Sequence, residues 1–235
     1  MQLFYNSILD KDTKEITFDK VESKHIIKVL RKKEGDQIFI TNGKGELFIC
    51  KITIANHKRC LVSIISREVK KQSRDYYLHI VLSPLKNNDR LEWFLEKATE
   101  IGIDEITLVI CDNSERKFIK AERLEKIILA AMKQSLKFEL PKLNKVISFS
   151  EFLKKEYKNA VYIAHCEKGD KKLLKTQVKP KESVTILIGP EGDFSSKEIS
   201  KGIKSGCIPI TLGNTRLRAE TAALVAVQNI SFINQ

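Results

Sequence analysis

The chain has 235 residues, 42% of them hydrophobic and 31% charged, enough for one large domain or two modest ones with real cores and too apolar for a disordered chain. No apolar run reaches membrane-spanning length, and the opening Met1-Gln2-Leu3-Phe4-Tyr5-Asn6 lacks the charged and apolar regions of a signal peptide. The net charge of +12 suits a polyanionic partner such as nucleic acid, because each Lys or Arg set on a phosphate releases counterions; charge alone identifies no partner. Cys50, Cys60, Cys111, Cys166 and Cys207 form no C-x-x-C pair and have no histidine clustered with them. They read as reduced thiols of a cytoplasmic protein, with no metal site and no disulfide framework.

Residues 1–72 read as a small β-rich domain with one helix, and they carry 15 Lys and Arg against 9 Asp and Glu. Ser23 is placed to cap a short helix running through Arg31, with Gly35-Asp36 ending it. Residues 37–41 follow as a strand, Asn42-Gly43-Lys44-Gly45 as a turn, and 46–55 and 60–66 as two further strands. Residues 67–75 hold one apolar residue among nine and read as a linker or an exposed edge. From residue 76 the rhythm becomes strand, helix, strand, helix, so 73–235 reads as an α/β domain. Strands are expected at 77–82, 106–110, 160–164, 184–188 and 207–212; the continuous apolar runs at 160–164 and 184–188 suit a parallel sheet. Helices are expected at 90–101, with Leu91, Phe94, Leu95, Ala98 and Ile101 on one face, and at 121–136, with Leu124, Ile127, Ile128, Ala131 and Leu136 inward. Ser195 and Glu198 form a capping box for a helix running to Gly206, and the last helix covers 217–232.

Two glycine-anchored corners stand out in the last fifth of the chain. One is Ile186-Leu187-Ile188-Gly189-Pro190-Glu191-Gly192-Asp193. The other is Leu212-Gly213-Asn214-Thr215-Arg216-Leu217-Arg218-Ala219-Glu220-Thr221-Ala222. Each leaves a strand end and leads to a helix, and side by side they would form a pocket at the carboxyl ends of parallel strands. The first has neither the Gly-Lys-Ser/Thr of a P-loop nor G-x-G-x-x-G, so nothing argues for ATP or NAD. Pro190 stiffens the loop, and Gly192 permits close approach of backbone or ligand. The plain alternatives are an ordinary strand-to-helix turn and a surface Arg–Glu pair of little energetic weight.

Gly-Pro-Glu-Gly followed by Leu-Gly-x-x-x-Leu-Arg-x-Glu-Thr-Ala resembles the RsmE family of ribosomal RNA methyltransferases, in the SPOUT superfamily. The match extends to His25-Ile26-Ile27-Lys28-Val29-Leu30-Arg31 with Gly35-Asp36, to Arg90-Leu91-Glu92-Trp93, to Glu96-Lys97-Ala98-Thr99-Glu100-Ile101-Gly102, to Ser114-Glu115-Arg116 and to Gln134-Ser135. Asp193 stands where the family usually has another glycine, and Arg216-Leu217 replaces the commoner Ile-Leu before Arg218. The resemblance implies a small PUA-like β-barrel domain over 1–72, then a SPOUT α/β methyltransferase domain over 73–235 with a deep C-terminal trefoil knot. It also implies a homodimer, bound S-adenosyl-L-methionine, no metal, and methylation of N3 of one uridine in 16S rRNA of the small ribosomal subunit.

Those implications assign roles. Leu187, Ile188, Gly189, Pro190, Glu191 and Gly192, with Leu212, Gly213, Leu217 and Arg218, are expected to hold the cofactor, mostly through backbone. Arg218 is the expected cation beside the uridinate, since a guanidinium stays charged and can face O2 or O4. Glu220 or Glu191 could orient Arg218 or take the N3 proton, and loop stabilisation is the preferred role for Glu191. Arg31, Lys32 and Lys33, extended by Arg90, Arg116 and Lys117, are candidates for gripping RNA, with a solvated charge run as the plain alternative for the first three. Three competing readings are 2′-O-ribose methylation of RNA, a non-catalytic RNA-binding protein and a metabolic α/β enzyme, the last without support in the basic N-terminal domain. Relatives of the first kind end in a Ser-Leu-Asn-Val-Ser type segment that is absent here, and the second predicts no S-adenosylmethionine binding.

Overall fold

A computed structural model describes residues 1–69 and 74–235. Within it the chain divides into two compact units, Met1–Gln72 with Met132–Leu140, and Ser73–Ala131 with Pro141–Gln235. The boundary expected between residues 72 and 73 lies outside the described residues, as does most of the expected linker. The linker's first residues, 67–69, are strand instead.

The first unit is built on β1 (Leu3–Tyr5), β2 (Glu15–Thr17), α1 (Lys20–Lys24), β3 (Gln37–Thr41), β4 (Glu46–Ile54) and β5 (Leu61–Val69). The strands form one sheet in the order β1-β3-β4-β5-β2, with bulges in the β4–β5 ladder; bulges sharpen twist and bend a strand. The expected small barrel is thus a curled sheet whose two edges meet through rings, Phe4 of β1 lying 5.7 Å from Phe18 just beyond β2. Ile26, Ile38, Ile40, Phe48 and Val62 fill the interior.

The helix cap differs from expectation. Asp19, not Ser23, caps α1, its Oδ1 accepting from Glu22 N at 2.8 Å. Ser23 lies one turn later and is buried, its Oγ donating to Phe18 O and accepting from Cys60 N at 2.8 Å. A π turn at His25–Val29 continues α1, and Arg31 at φ 55° ends the run. Segment Met132–Leu140 joins this unit through Gly45 N to Phe138 O and Leu140 N to Gly43 O, both 2.9 Å.

The second unit holds β6 (Leu78–Leu82), α2 (Asn88–Ile101), β7 (Glu105–Ile110), α3 (Ala121–Gln134), β8 (Lys142–Leu143), β9 (Ile147–Ser148), α4 (Phe149–Leu153), β10 (Ala160–Ala164), β11 (Lys172–Leu173), α5 (Leu174–Gln177), β12 (Val184–Ile188), α6 (Ser196–Lys204), β13 (Ile208–Thr211) and α7 (Ala219–Ile233). Its sheet is parallel throughout, in the order β11-β13-β10-β12-β6-β7-β8 with β9 also on β7. Helices α2 and α7 pack together, and α7 lies on β6 and β12. Phe149, Phe152 and Ile199, from α4 and α6, share a second core cluster with Val81, Ile163 and Leu187 of the sheet. Strands covered on both faces explain the continuous apolar runs at β10 and β12.

In α3 the inward set is Leu124, Ile128, Ala131 and Met132. Leu136, expected inward, lies past the helix end at φ 55° and is exposed. Cys50, Cys60, Cys111 and Cys207 are buried thiols, and Cys166 is exposed. Among the described residues no helix is long and apolar enough to cross a membrane, and no three His, Cys, Asp or Glu gather as metal ligands would.

Candidate active site

The two glycine corners are not adjacent. β10 runs between β12 and β13, pairing Ala164 with Ile188 on one side and with Ile210 on the other. Three strand ends, not two, therefore bound a cavity of about 340 Å³. Of the residues expected to hold a cofactor, Ile188, Gly189, Pro190, Glu191, Leu212, Gly213, Leu217 and Arg218 line it. Leu187 points into the α4–α6 core instead, because neighbouring strand residues face opposite ways. Gly192 sits off the cavity, against Asn113. The third strand end adds Ala164, His165 and Cys166, and the loops add Asp193, Thr215 and Arg216. The missed wall follows an apolar strand ending in Ala-His-Cys, with no glycine to mark it.

At Gly192 a Cβ would stand 3.3 Å from the Asn113 side chain, and the approach is closer still at Gly189. A Cβ there would stand 3.0 Å from both the ring and the backbone nitrogen of Phe194, and Phe194 is itself buried with its ring 5.5 Å from Phe149. Asp193 takes the left-handed conformation, φ 64°, which Asp tolerates better than most residues. Its side chain then has two tasks: Oδ1 accepts from Phe194 N at 2.8 Å, and Oδ2 accepts from Cys166 N at 2.6 Å. The loop after β12 is thereby tied to the loop after β10. Asn113 Nδ2 holds the same loop from outside, donating to Gly192 O and Asp193 O. The Ser195–Glu198 capping box forms as expected, and buried Glu198 also accepts from Asp112 N at 2.9 Å.

Arg218 is the N-cap residue of α7 and is exposed on the cavity wall. Among the described residues its guanidinium has no hydrogen-bond or ion-pair partner. Glu220 does not orient it. Residues two apart on a helix face different ways, and Glu220 is buried, with Oε1 3.5 Å from Arg90 Nε. Glu191 holds backbone, as preferred: its Oε1 accepts from Lys86 N at 3.0 Å. The basic residues divide similarly. Arg116, half-buried, donates to Lys86 O at 2.9 Å and to Asn88 Oδ1, and Arg90, also half-buried, faces Glu220. Lys117 is exposed beside Phe118, which is 76% exposed. In the first unit Arg31 and Lys33 are exposed and Lys32 is half-buried.

A family profile described as an RNA methyltransferase domain matches residues 71–231, and one described as an RNA methyltransferase PUA domain matches 18–65. Ribosomal RNA small subunit methyltransferase E of Bacillus subtilis is 30% identical over 99% of this chain and 94% of its own length. This chain belongs to the ribosomal RNA small subunit methyltransferase E family. A solved structure described as a probable rRNA-methyltransferase from Porphyromonas gingivalis is similar over 100% of this chain and 98% of that one, at 36% identity and a TM-score of 0.93. The family member from Neisseria gonorrhoeae, solved bound to S-adenosyl methionine, is similar over the same shares at 25% identity and a TM-score of 0.86.

Proposed function

We propose that this chain transfers a methyl group from S-adenosylmethionine to N3 of one uridine in 16S rRNA of the small ribosomal subunit. The observation that carries the reading is Arg218, a cation on the cavity wall with no carboxylate among the described residues to neutralise it. The residues present suit the cofactor. The cavity falls at the lower end of the volumes typical of small-molecule sites. Ile188, Ile210 and Leu217 offer an apolar bed for adenine, and Arg216 offers a cation for a carboxylate. S-Adenosylmethionine supplies, when bound, a methyl group already activated for attack.

The chain's part is to bring N3 into line and to favour its deprotonated form. Positioning accounts for much of such a rate gain. Arg218 supplies charge for the uridinate, and the N-terminus of the 15-residue helix α7 adds its own positive potential at that point. The target base must leave its stack to be reached. Arg31, Lys32, Lys33 and Lys117 are the basic candidates left free to grip RNA, with residues 1–72 as the RNA-binding domain and 73–235 as the catalytic one. The knot is supported by the chain path: β13 lies outside β10, yet α7, which follows it, returns over β12 and β6. The active form is read as a cytoplasmic homodimer.

The test is mass mapping of methylated uridines in 16S rRNA from a strain lacking this protein. One N3-methyluridine is expected to vanish and to return with the intact gene. Its persistence in the deletion strain overturns the reading, and loss of a ribose methyl instead favours 2′-O chemistry.

A further inference from the structure

Residues 111–120 leave the carboxyl end of β7 and run to α3 without regular structure. The cavity lies at the same end of the same parallel sheet. This loop is tied down. Ser114 Oγ accepts from Cys111 N at 2.8 Å and lies 2.7 Å from Ser83 Oγ. Arg116 donates to Lys86 O at 2.9 Å and to Asn88 Oδ1, which fixes it to the loop after β6. Two residues on, Phe118 is 76% exposed.

A large apolar side chain exposed singly needs no explanation; the company of Phe118 sets it apart. Phe232 is nearly as exposed, at 73%, yet residues 219–235 hold no Lys or Arg. Phe118 lines an open hollow of about 410 Å³ with Lys86, Glu115, Arg116 and Lys117. Lys86 pairs with Glu115 at 2.8 Å, and three cations against one carboxylate leave the lining net positive. Lys117 is exposed and has no ion-pair partner among the described residues. The hollow adjoins the cavity: Lys86 N donates to Glu191 Oε1 at 3.0 Å, and Glu191 lines the cavity.

A fixed ring set among cations matches a single strand of nucleic acid, whose bases offer flat π faces and whose phosphates are anions. An apolar protein surface would match the ring but strip water from Lys117 without pairing it. An acidic peptide would match the cations and leave the ring bare. We propose that Phe118 is a stacking platform for one unpaired base of the RNA strand beside the target uridine, with Lys117 at its phosphate. A uridine taken out of its stack leaves a neighbour uncovered, and a ring already held in place takes up that base at small entropic cost. This rests on the RNA methyltransferase reading above.

The test is filter binding, with S-adenosylhomocysteine present, to small ribosomal subunits from the deletion strain. The proteins are the wild type, Phe118→Ala, Phe118→Leu and Phe118→Tyr. Phe118→Ala and Phe118→Leu are expected to weaken binding about tenfold, within the range for one stacked base, and Phe118→Tyr should bind as the wild type does. The dependence of affinity on salt should be the same for wild type and Phe118→Ala, since a ring releases no counterions. S-Adenosylhomocysteine affinity should not change. Equal binding by all four proteins, or an equal loss in Phe118→Tyr and Phe118→Ala, overturns the proposal. A second measurement names the partner directly: with p-benzoylphenylalanine at position 118, light should join the protein to 16S rRNA next to the methylated uridine. A crosslink to a ribosomal protein or to a second copy of this chain instead, or none to RNA, overturns the proposal. Wild type that neither binds nor methylates the subunits defeats the RNA reading and this inference with it, whereas binding indifferent to Phe118 defeats the inference alone.

Discussion

At the amino end of the parallel sheet, His79 of β6 lies buried with Nε2 2.7 Å from Thr107 Oγ1 and Nδ1 3.4 Å from Thr185 Oγ1. Asn144 donates to both Thr107 Oγ1 and Glu105 Oε1 at 2.7 Å. The hydroxyl of Tyr77 and the ammonium of Lys142 complete the shell of Glu105. Burial would raise the Glu105 pKa, but bonds from Asn144, Lys142 and Tyr77, with the influence of His79, hold it below the usual range. At the carboxyl end of the same sheet, Arg218 and His165 are without partners among the described residues. One set of polar groups is used up internally and stiffens the sheet; the other is left over and faces a cavity. A buried network with every member satisfied specifies structure; the unpartnered groups beside the cavity add no such bonds to the fold.

The contrast can be broken most decisively at Arg218. Arg218→Ala is expected to lower methyl transfer by about 10²–10³-fold, the range for losing one group that stabilises developing charge, with S-adenosylhomocysteine affinity nearly unchanged by calorimetry. Surviving turnover would reduce the corner to an ordinary turn. The pH dependence of stability probes the other end. Burial depresses the His79 pKa to about 4, whereas an unfolded chain has the ordinary value of about 6.5. The unfolded state therefore takes up the proton first as pH falls. The stability due to neutral His79 is complete above about pH 6.5 and is lost on descending to pH 4, by on the order of 3 kcal/mol. Urea melts across that range should show the slope, and His79→Leu should flatten it.

Thr107→Val removes the hydroxyl shared by His79 and Asn144. It should cost about 1–3 kcal/mol of stability with little change in turnover; a loss of turnover without a loss of stability would erase the distinction between the two ends. The smallest effect is expected from Asp193→Gly, which keeps the left-handed backbone but strips Cys166 N and Phe194 N of their acceptor. A loss of about 1 kcal/mol in thermal melts, with cofactor affinity only slightly weakened, would place Asp193 among the supporting groups.

What could be read in the sequence was local. The Ser195–Glu198 box needs only a spacing of three, and β10 and β12 declare themselves by apolar runs bounded by turn residues. Asp19 stands four residues before Ser23 and both suit a cap; Ser23 is taken up by Phe18 and Cys60 from outside the helix, which no spacing reveals. The insertion of β10 between the glycine corners is a matter of strand order, fixed by contacts far apart in the chain, so the His165 wall went unread. Arg90 and Arg116 looked like surface charge because their partners, Glu220 and Asn88, are brought to them only by folding.

The tie from Asp193 to Cys166 bears on how a ligand gets in and out. It joins the loops after β10 and β12 into one braced wall, held from behind by Asn113 and by Phe194 beneath Gly189. The loop after β13 has only the local bonds between Thr211 and Gly213 among its described residues, and a Cβ on Gly213 would meet nothing within 4 Å. Entry and departure should then be governed by that third loop. Stiffening it should slow both rates together and leave their ratio, the affinity, much as it was, which stopped-flow binding would show.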